Sequence, residues 1–130
     1  MGINLTGKVV IVTGGAKGIG EGCVGKFIEA GATTSSFDLD SKALENQDNS
    51  YSRLGDRFTT HIVDVSKESQ VEATVGLIIA KYGRIDALIN CAGIQTYGSL
   101  TETTESVWDQ TFNVNAVSYT HLTLPTIYSV

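Results

Sequence analysis

A glycine-rich segment near the N-terminus has the composition of a phosphate-binding turn. It follows the apolar run Val9 to Thr13 directly and reads Thr13-Gly14-Gly15-Ala16-Lys17-Gly18-Ile19-Gly20. Between a strand and a helix, Gly14 would turn the chain, Gly18 would let the backbone approach a pyrophosphate, and Gly20 would let the helix pack on the strand. The N–H groups at the start of that helix favour an anion. A glycine-rich turn alone is also compatible with a purely structural role, so its surroundings matter.

An acidic residue after the second predicted strand could bind the sugar part of the same ligand. Asp38 follows the segment Thr33 to Phe37, where a second strand would end at the carboxyl edge of a parallel sheet. A carboxylate there can accept hydrogen bonds from the adenosine ribose of a dinucleotide and would repel a 2'-phosphate. Lys17 could instead pair with that phosphate, although a solvated lysine needs no function. Because Asp38 and Asp40 together outweigh Lys17, the sequence predicts NAD rather than NADP.

Alternating strands and helices would position these groups. The apolar patterns predict strands over Val9 to Thr13, Thr33 to Phe37, Phe58 to Val63 and Ile85 to Asn90. They predict helices over Gly18 to Ala30, over the polar stretch Asp38 to Gly55, from a Ser66 N-cap to Gly83, and from about Thr104 onward. This alternation indicates an α/β fold, a doubly wound parallel sheet of Rossmann type. Such a sheet has about six strands, so we expect it to be truncated here after about four strands and four helices.

Composition excludes several classes of protein. The chain has 130 residues, of which 42% are hydrophobic and 18% charged, and its net charge is −5. The acidic balance gives nucleic acid no electrostatic attraction. No apolar run approaches the length of a membrane helix and no signal-peptide pattern is present, so we expect a cytoplasmic protein without a membrane partner. We expect Cys23 and Cys91 to be reduced structural thiols, and no metal, because His61 and His121 also lack ligand spacing.

Three further motifs complete an ordered pattern. Asp64-Val65 follows the third predicted strand, Asn90-Cys91-Ala92-Gly93 follows the fourth, and Asn113-Val114-Asn115 lies in the last predicted helix. With the glycine spacing, this order over about Leu5 to Ala116 resembles the short-chain dehydrogenase/reductase family. The resemblance implies that Asp64 and Val65 hold an adenine ring and that the Asn90 to Gly93 segment lines the cofactor. Cys91 replaces the family's second asparagine; we expect its backbone contacts to survive and a side-chain hydrogen bond to be lost or weakened.

The patterns and the resemblance together give one set of candidate site residues. The predicted cofactor-binding residues are Gly14, Lys17, Gly18, Ile19, Gly20, Asp38, Asp64, Val65, Asn90, Ala92 and Gly93. Asn115 matches the family's catalytic asparagine, which helps to hold a lysine and a water. Because its spacing places it on one helix face with Trp108 and Phe112, we expect an inward amide. A buried asparagine satisfied by backbone remains the alternative.

The resemblance implies an NAD(P)-dependent oxidoreductase that transfers a hydride between nicotinamide and a small-molecule alcohol or carbonyl substrate, in a homo-oligomer. The family's proton-transferring tyrosine is followed four residues later by a lysine, and none of the five tyrosines here fits that spacing. A tyrosine without such help has a pKa near 10 and transfers protons poorly at neutral pH. We therefore expect the chain as given to be an inactive, aggregation-prone fragment. The alternative is a non-catalytic nucleotide-binding module or an inactive paralogue.

The family pattern ends near Ala116. The segment Val117 to Thr126, VSYTHLTLPT, resembles a translated DNA sequencing adapter. We expect residues 1–116 to be the dinucleotide-binding portion of a single Rossmann domain and residues 117–130 to be a non-native tail. A divergent helix end followed by a strand is the alternative.

Overall fold

The structure is a computed structural model that describes residues 2–93 and 104–117. Its strands are β1 (Val9–Thr13), β2 (Thr33–Asp38), β3 (Phe58–Ile62) and β4 (Ala87–Asn90). Its α-helices are α1 (Gly18–Glu29), α2 (Ser41–Ser50), α3 (Glu68–Tyr82) and α4 (Glu105–Phe112). The strands are parallel and lie in the order β3-β2-β1-β4. This confirms the predicted α/β sheet of Rossmann type. The expected tail, residues 117–130, lies outside the described residues except for Val117.

Side chains of β1 alternate between the two faces of the sheet, and all five residues of the strand are buried. Val9 and Ile11 enter one core cluster, whose α3 members are Val71, Val75 and Ile78. Val10 and Val12 enter a second cluster, whose α1 members are Val24 and Ile28. Burying a side chain of this size contributes about 1.5–3 kcal/mol. The continuous apolar run at β1 therefore follows from helices covering both faces of the sheet.

The predicted helix over Asp38 to Gly55 is wrong in extent. The structure divides this stretch into α2 and a separate 3-10 helix, Ser52–Arg57, in which Gly55 has a φ of 56°. The start differs because Asp40 is the N-cap of α2, and its carboxylate accepts the N–H of Ala43 at 3.0 Å. A capping carboxylate fixes the first turn, and the polar composition of the stretch did not reveal that position.

Ser66 is not the N-cap of α3, contrary to the prediction. Lys67 occupies that position without a side-chain cap. The N–H and hydroxyl of Ser66 instead donate to the carboxylate of Asp64, at 3.0 and 2.6 Å. Short polar side chains bond to nearby groups in several local geometries, so residue type alone did not choose between a cap and a turn.

Two other helix boundaries agree with the sequence. Gly83 ends α3 in the left-handed region with a φ of 76°. Thr104 caps α4, since its hydroxyl oxygen accepts the N–H of Val107 at 3.2 Å. Within residues 2–93 and 104–117, no helix combines the length and the apolar character required to cross a membrane.

Candidate functional site

The glycine-rich turn connects β1 to α1 at the carboxyl edge of the sheet. Gly14 and Gly18 have φ values of 63° and 58°, which side chains other than glycine rarely adopt. A Cβ at Gly20 would lie 2.0 Å from the carbonyl oxygen of Gly14. Only glycine therefore lets the first turn of α1 pack this closely on the strand end.

Residues from β2 and α2 hold the turn in place. The N–H of Gly15 donates to the carbonyl of Phe37 at 3.2 Å, and the N–H of Ala16 donates to the Asp38 carboxylate at 3.1 Å. The carbonyl of Gly15 accepts from Nε2 of Gln47 at 2.7 Å. Three hydrogen bonds from β2 and α2 thus hold the shape of the turn.

Thr13 joins this turn to the segment after β4. Its buried hydroxyl oxygen accepts the N–H groups of Cys91 and Ala92, each at 3.2 Å, and its carbonyl also accepts the Cys91 N–H. The backbone contacts expected at Cys91 are therefore present. A Cβ at Gly14 would lie 2.8 Å from backbone atoms of Cys91 and Ala92. Sequence reasoning missed Thr13; the available signal was a hydroxyl at the last strand position before the turn.

A cleft of about 380 Å³ opens over this edge of the sheet. Its lining brings together the turn, the end of β2 and the segments that follow β3 and β4. Seven of the predicted site residues line it: Gly14, Lys17, Asp38, Asp64, Val65, Ala92 and Gly93. The other predicted residues, Gly18, Ile19, Gly20, Asn90 and Asn115, are not part of the lining. Ile19 has 82% of its surface exposed beside the turn.

Charge on the rim of the cleft is dominated by carboxylates. Lys17 pairs with Asp40 at 3.0 Å. This hydrogen bond and charge raise the pKa of Lys17, while the N–H of Ala43, and then Lys17, lower the pKa of Asp40. Asp38 accepts the N–H of Asp40 at 3.1 Å as well as that of Ala16. Lys17, the one basic residue in the cleft lining, is thus paired with Asp40. The carboxylate of Asp38 lies beside the turn and accepts backbone N–H groups.

Asn115 is exposed, so the expected inward amide is wrong. It lies in a π-helical turn, Asn113–Val117, that continues α4. The wider i to i+5 bonding of a π-helix shifts residues away from the regular helical spacing, and Val114 occupies the buried position instead. The amide oxygen of Asn115 lies 3.4 Å from the place that a Cβ at Gly93 would take. Asn115 therefore faces the segment after β4 from outside the core.

The two cysteines and His61 belong to no metal or redox motif in the described residues. Cys23 and Cys91 are free thiols, and burial, followed by the nearby Cys23 thiol, raises the pKa of Cys91. Burial lowers the pKa of His61, whose ring meets that of Phe37 edge-on at 5.7 Å. In the part of the chain that the structure describes, no group of three or more histidine, cysteine or acidic residues is arranged to hold a metal ion.

Comparisons with known proteins agree with this architecture. A family model described as short chain dehydrogenase matches residues 8–127. The 3beta-hydroxysteroid dehydrogenase 2 of Eggerthella lenta is 35% identical over 118 residues, which cover 88% of this chain and 45% of that protein. The 3-oxoacyl-(acyl-carrier-protein) reductase FabG of Thermotoga maritima is 34% identical over 113 residues, which cover 87% and 46%.

A solved structure from Brucella melitensis, a short-chain dehydrogenase/reductase described as glucose/ribitol dehydrogenase, superposes with a TM-score of 0.85 at 29% identity. The superposition covers 94% of this chain and 52% of that one. The chain spans about half the length of the curated relatives that it matches.

Proposed function

The chain belongs to the short-chain dehydrogenase/reductase family, and we propose that it binds the nicotinamide dinucleotide of an NAD(P)-dependent oxidoreductase. The cleft at the carboxyl edge of the sheet carries this proposal. In doubly wound sheets, ligands bind where the strand order reverses. Here that point lies between β1 and β4, the two strands whose ends Thr13 ties together.

The glycine-rich turn fits a pyrophosphate. The first N–H groups of α1 have no partner within the helix and lie at its positive end, so they attract an anion. Nothing lies within 4 Å of where a Cβ at Gly18 would be. We propose that Gly14, Gly18, Ile19 and Gly20 form the pyrophosphate site, with Lys17 at its rim.

The lining of the cleft also fits the adenosine half of the cofactor. Asp38 accepts two backbone N–H groups, and an ionised carboxylate has room for about four hydrogen bonds, so it can still accept a ribose hydroxyl. Asp64 and Val65 line the same cleft, and we propose that they hold the adenine ring. Lys17 is already paired with Asp40, and Asp38 would repel a 2'-phosphate. We therefore propose that the cofactor is NAD rather than NADP.

The candidate residues after β4 and in the last helical turn would lie near the nicotinamide. We propose that Asn90, Ala92 and Gly93 line that part of the site, and that Asn115 orients polar groups near Gly93. The bound dinucleotide supplies hydride transfer, and the protein supplies position and electrostatics. One relative is named a hydroxysteroid dehydrogenase and another a 3-oxoacyl reductase, so we propose a small-molecule alcohol or carbonyl substrate without choosing one.

A non-catalytic nucleotide-binding module is the second candidate. Within residues 1–130 no tyrosine has a lysine four residues later, so the residues of this chain support dinucleotide binding more directly than proton transfer. The test is a panel of alcohols and ketones offered with NAD or NADH to the full-length protein, followed by nicotinamide absorbance. Turnover supports the oxidoreductase. Saturable dinucleotide binding without turnover supports the binding module, and absence of both refutes the two proposals together.

A further inference from the structure

A polar side chain occupies one of the two buried positions of α2. Leu44 and Gln47 are buried there, and the other side chains of this helix are exposed or partly buried. Gln47 has only 7% of its surface exposed. Its Nε2 donates to the carbonyl of Gly15 at 2.7 Å, across 32 residues of sequence.

The oxygen of the Gln47 amide has no hydrogen-bond partner of this kind. This atom, Oε1, is buried and makes no hydrogen bond with the described residues. Leaving a buried acceptor unpaired is unfavourable, whereas an apolar side chain of similar shape would avoid that loss. Packing alone therefore favours an apolar residue at this position, as at Leu44, and the bond from Nε2 is the feature that requires glutamine.

The peptide unit between Gly15 and Ala16 is held at both ends. Gln47 binds its carbonyl oxygen, and Asp38 accepts its N–H at 3.1 Å. Because the peptide bond is planar, the directions of these two groups are fixed relative to each other. Rotation of this unit would break both contacts at once. The carboxylate of Asp38 and the amide of Gln47 are thus coupled through one peptide of the glycine-rich turn.

We propose that Gln47 is a positioning residue for dinucleotide binding, which orients the Gly15–Ala16 peptide and, through it, the carboxylate of Asp38. This rests on the cofactor site proposed above. Without the Nε2 donor, the peptide can rotate, and both the turn and Asp38 lose the orientation that the ligand needs.

The test measures NAD affinity and thermal stability of the full-length protein side by side. Gln47→Met keeps the approximate volume and removes the donor; we expect NAD to bind about fivefold more weakly, equivalent to about 1 kcal/mol, with Tm unchanged or raised. Leu44→Ala is the matched control for simple destabilisation, and it lowers Tm while leaving NAD affinity within about twofold. Unaltered NAD affinity in Gln47→Met would overturn the proposal.

The variant Gln47→Glu allows a second test, because the pH dependence of its NAD affinity would not change if Gln47 had only a structural role. An ionised glutamate cannot donate to the Gly15 carbonyl, but a protonated one can, and burial raises a glutamate pKa. NAD affinity of Gln47→Glu should therefore recover as the pH is lowered, in contrast to Gln47→Met. If the wild type binds no dinucleotide, the proposed function fails, and amide exchange at Ala16 decides the positioning role separately. Faster exchange in Gln47→Met supports it, and unchanged exchange rejects it.

Discussion

Lys17 and Asp40 form an ion pair of 3.0 Å that joins the glycine-rich turn to the start of α2. The same Asp40 carboxylate caps that helix through the N–H of Ala43. Among the described residues, Lys17 is the only basic residue that lines the cleft, and its charge is therefore paired with a carboxylate. A cofactor carrying a 2'-phosphate would have to compete with Asp40 for Lys17.

Replacing Asp40 with alanine should release this lysine. We expect Asp40→Ala to bind NADP about threefold more tightly, a gain that high salt should suppress because exposed charges are screened. The loss of the helix cap should lower Tm slightly. Titration of NADP at low and high salt measures the effect. The double variant Lys17→Ala/Asp40→Ala should lose the gain, and an unchanged NADP affinity in Asp40→Ala would show that the pair has no role in selectivity.

Two glycines of α1 should respond oppositely to alanine. In Gly20→Ala the new Cβ would lie 2.0 Å from the Gly14 carbonyl, and we expect a loss of about 2 kcal/mol or more with impaired dinucleotide binding. Gly22 has no atom within 4 Å of a Cβ position, so Gly22→Ala should stabilise the helix by about 0.5–1 kcal/mol. Denaturant unfolding of both variants compares them. Equal changes in the free energy of unfolding at the two positions would show that close packing at Gly20 is not what requires glycine there.

Several of these relationships could be predicted from sequence, and others could not. The apolar run at β1 and the glycine spacing predicted the strand, the turn and the start of α1, because local conformation determines them. The contact of Gln47 with Gly15 depends on how α2 packs on the sheet, which no spacing reveals. The exposure of Asn115 was missed for a similar reason, since a π-helical turn changes the periodicity on which the prediction relied.

Acid should destabilise the protein through His61. Burial lowers the pKa of this histidine in the folded state, with a smaller contribution from the charge of Lys81. Below the unfolded-state pKa of about 6.5, the unfolded chain takes up the proton first, so stability falls as the pH falls and is unaffected well above that value. Thermal melts across this range, with His61→Gln as the comparison, measure the effect. The variant should lose part of the acid sensitivity, and identical profiles would rule out this contribution.

Residues 1–130 expressed alone should be poorly stable and inactive. Among the described residues, β4 is the last strand of the sheet and pairs with β1, and the chain spans about half the length of its curated relatives. NAD can raise stability only by RT ln(1 + [L]/Kd), which stays small if residues 1–130 bind it weakly. We expect aggregation or a broad melt by scanning calorimetry. A monodisperse monomer with a sharp transition would establish instead that this chain is a self-sufficient domain.

The preference of the full-length protein for NAD over NADP, and its dependence on Asp38, tests the proposed site most directly. We expect one saturable site by titration calorimetry, with NAD the tighter ligand, and Asp38→Ser should reduce the preference about tenfold, or about 1.4 kcal/mol. Asp48→Ser, which removes an exposed carboxylate of α2 outside this cleft, is the control and should leave the preference unchanged. Tighter binding of NADP than NAD by about tenfold, or no binding of either to the folded protein, would contradict the assignment.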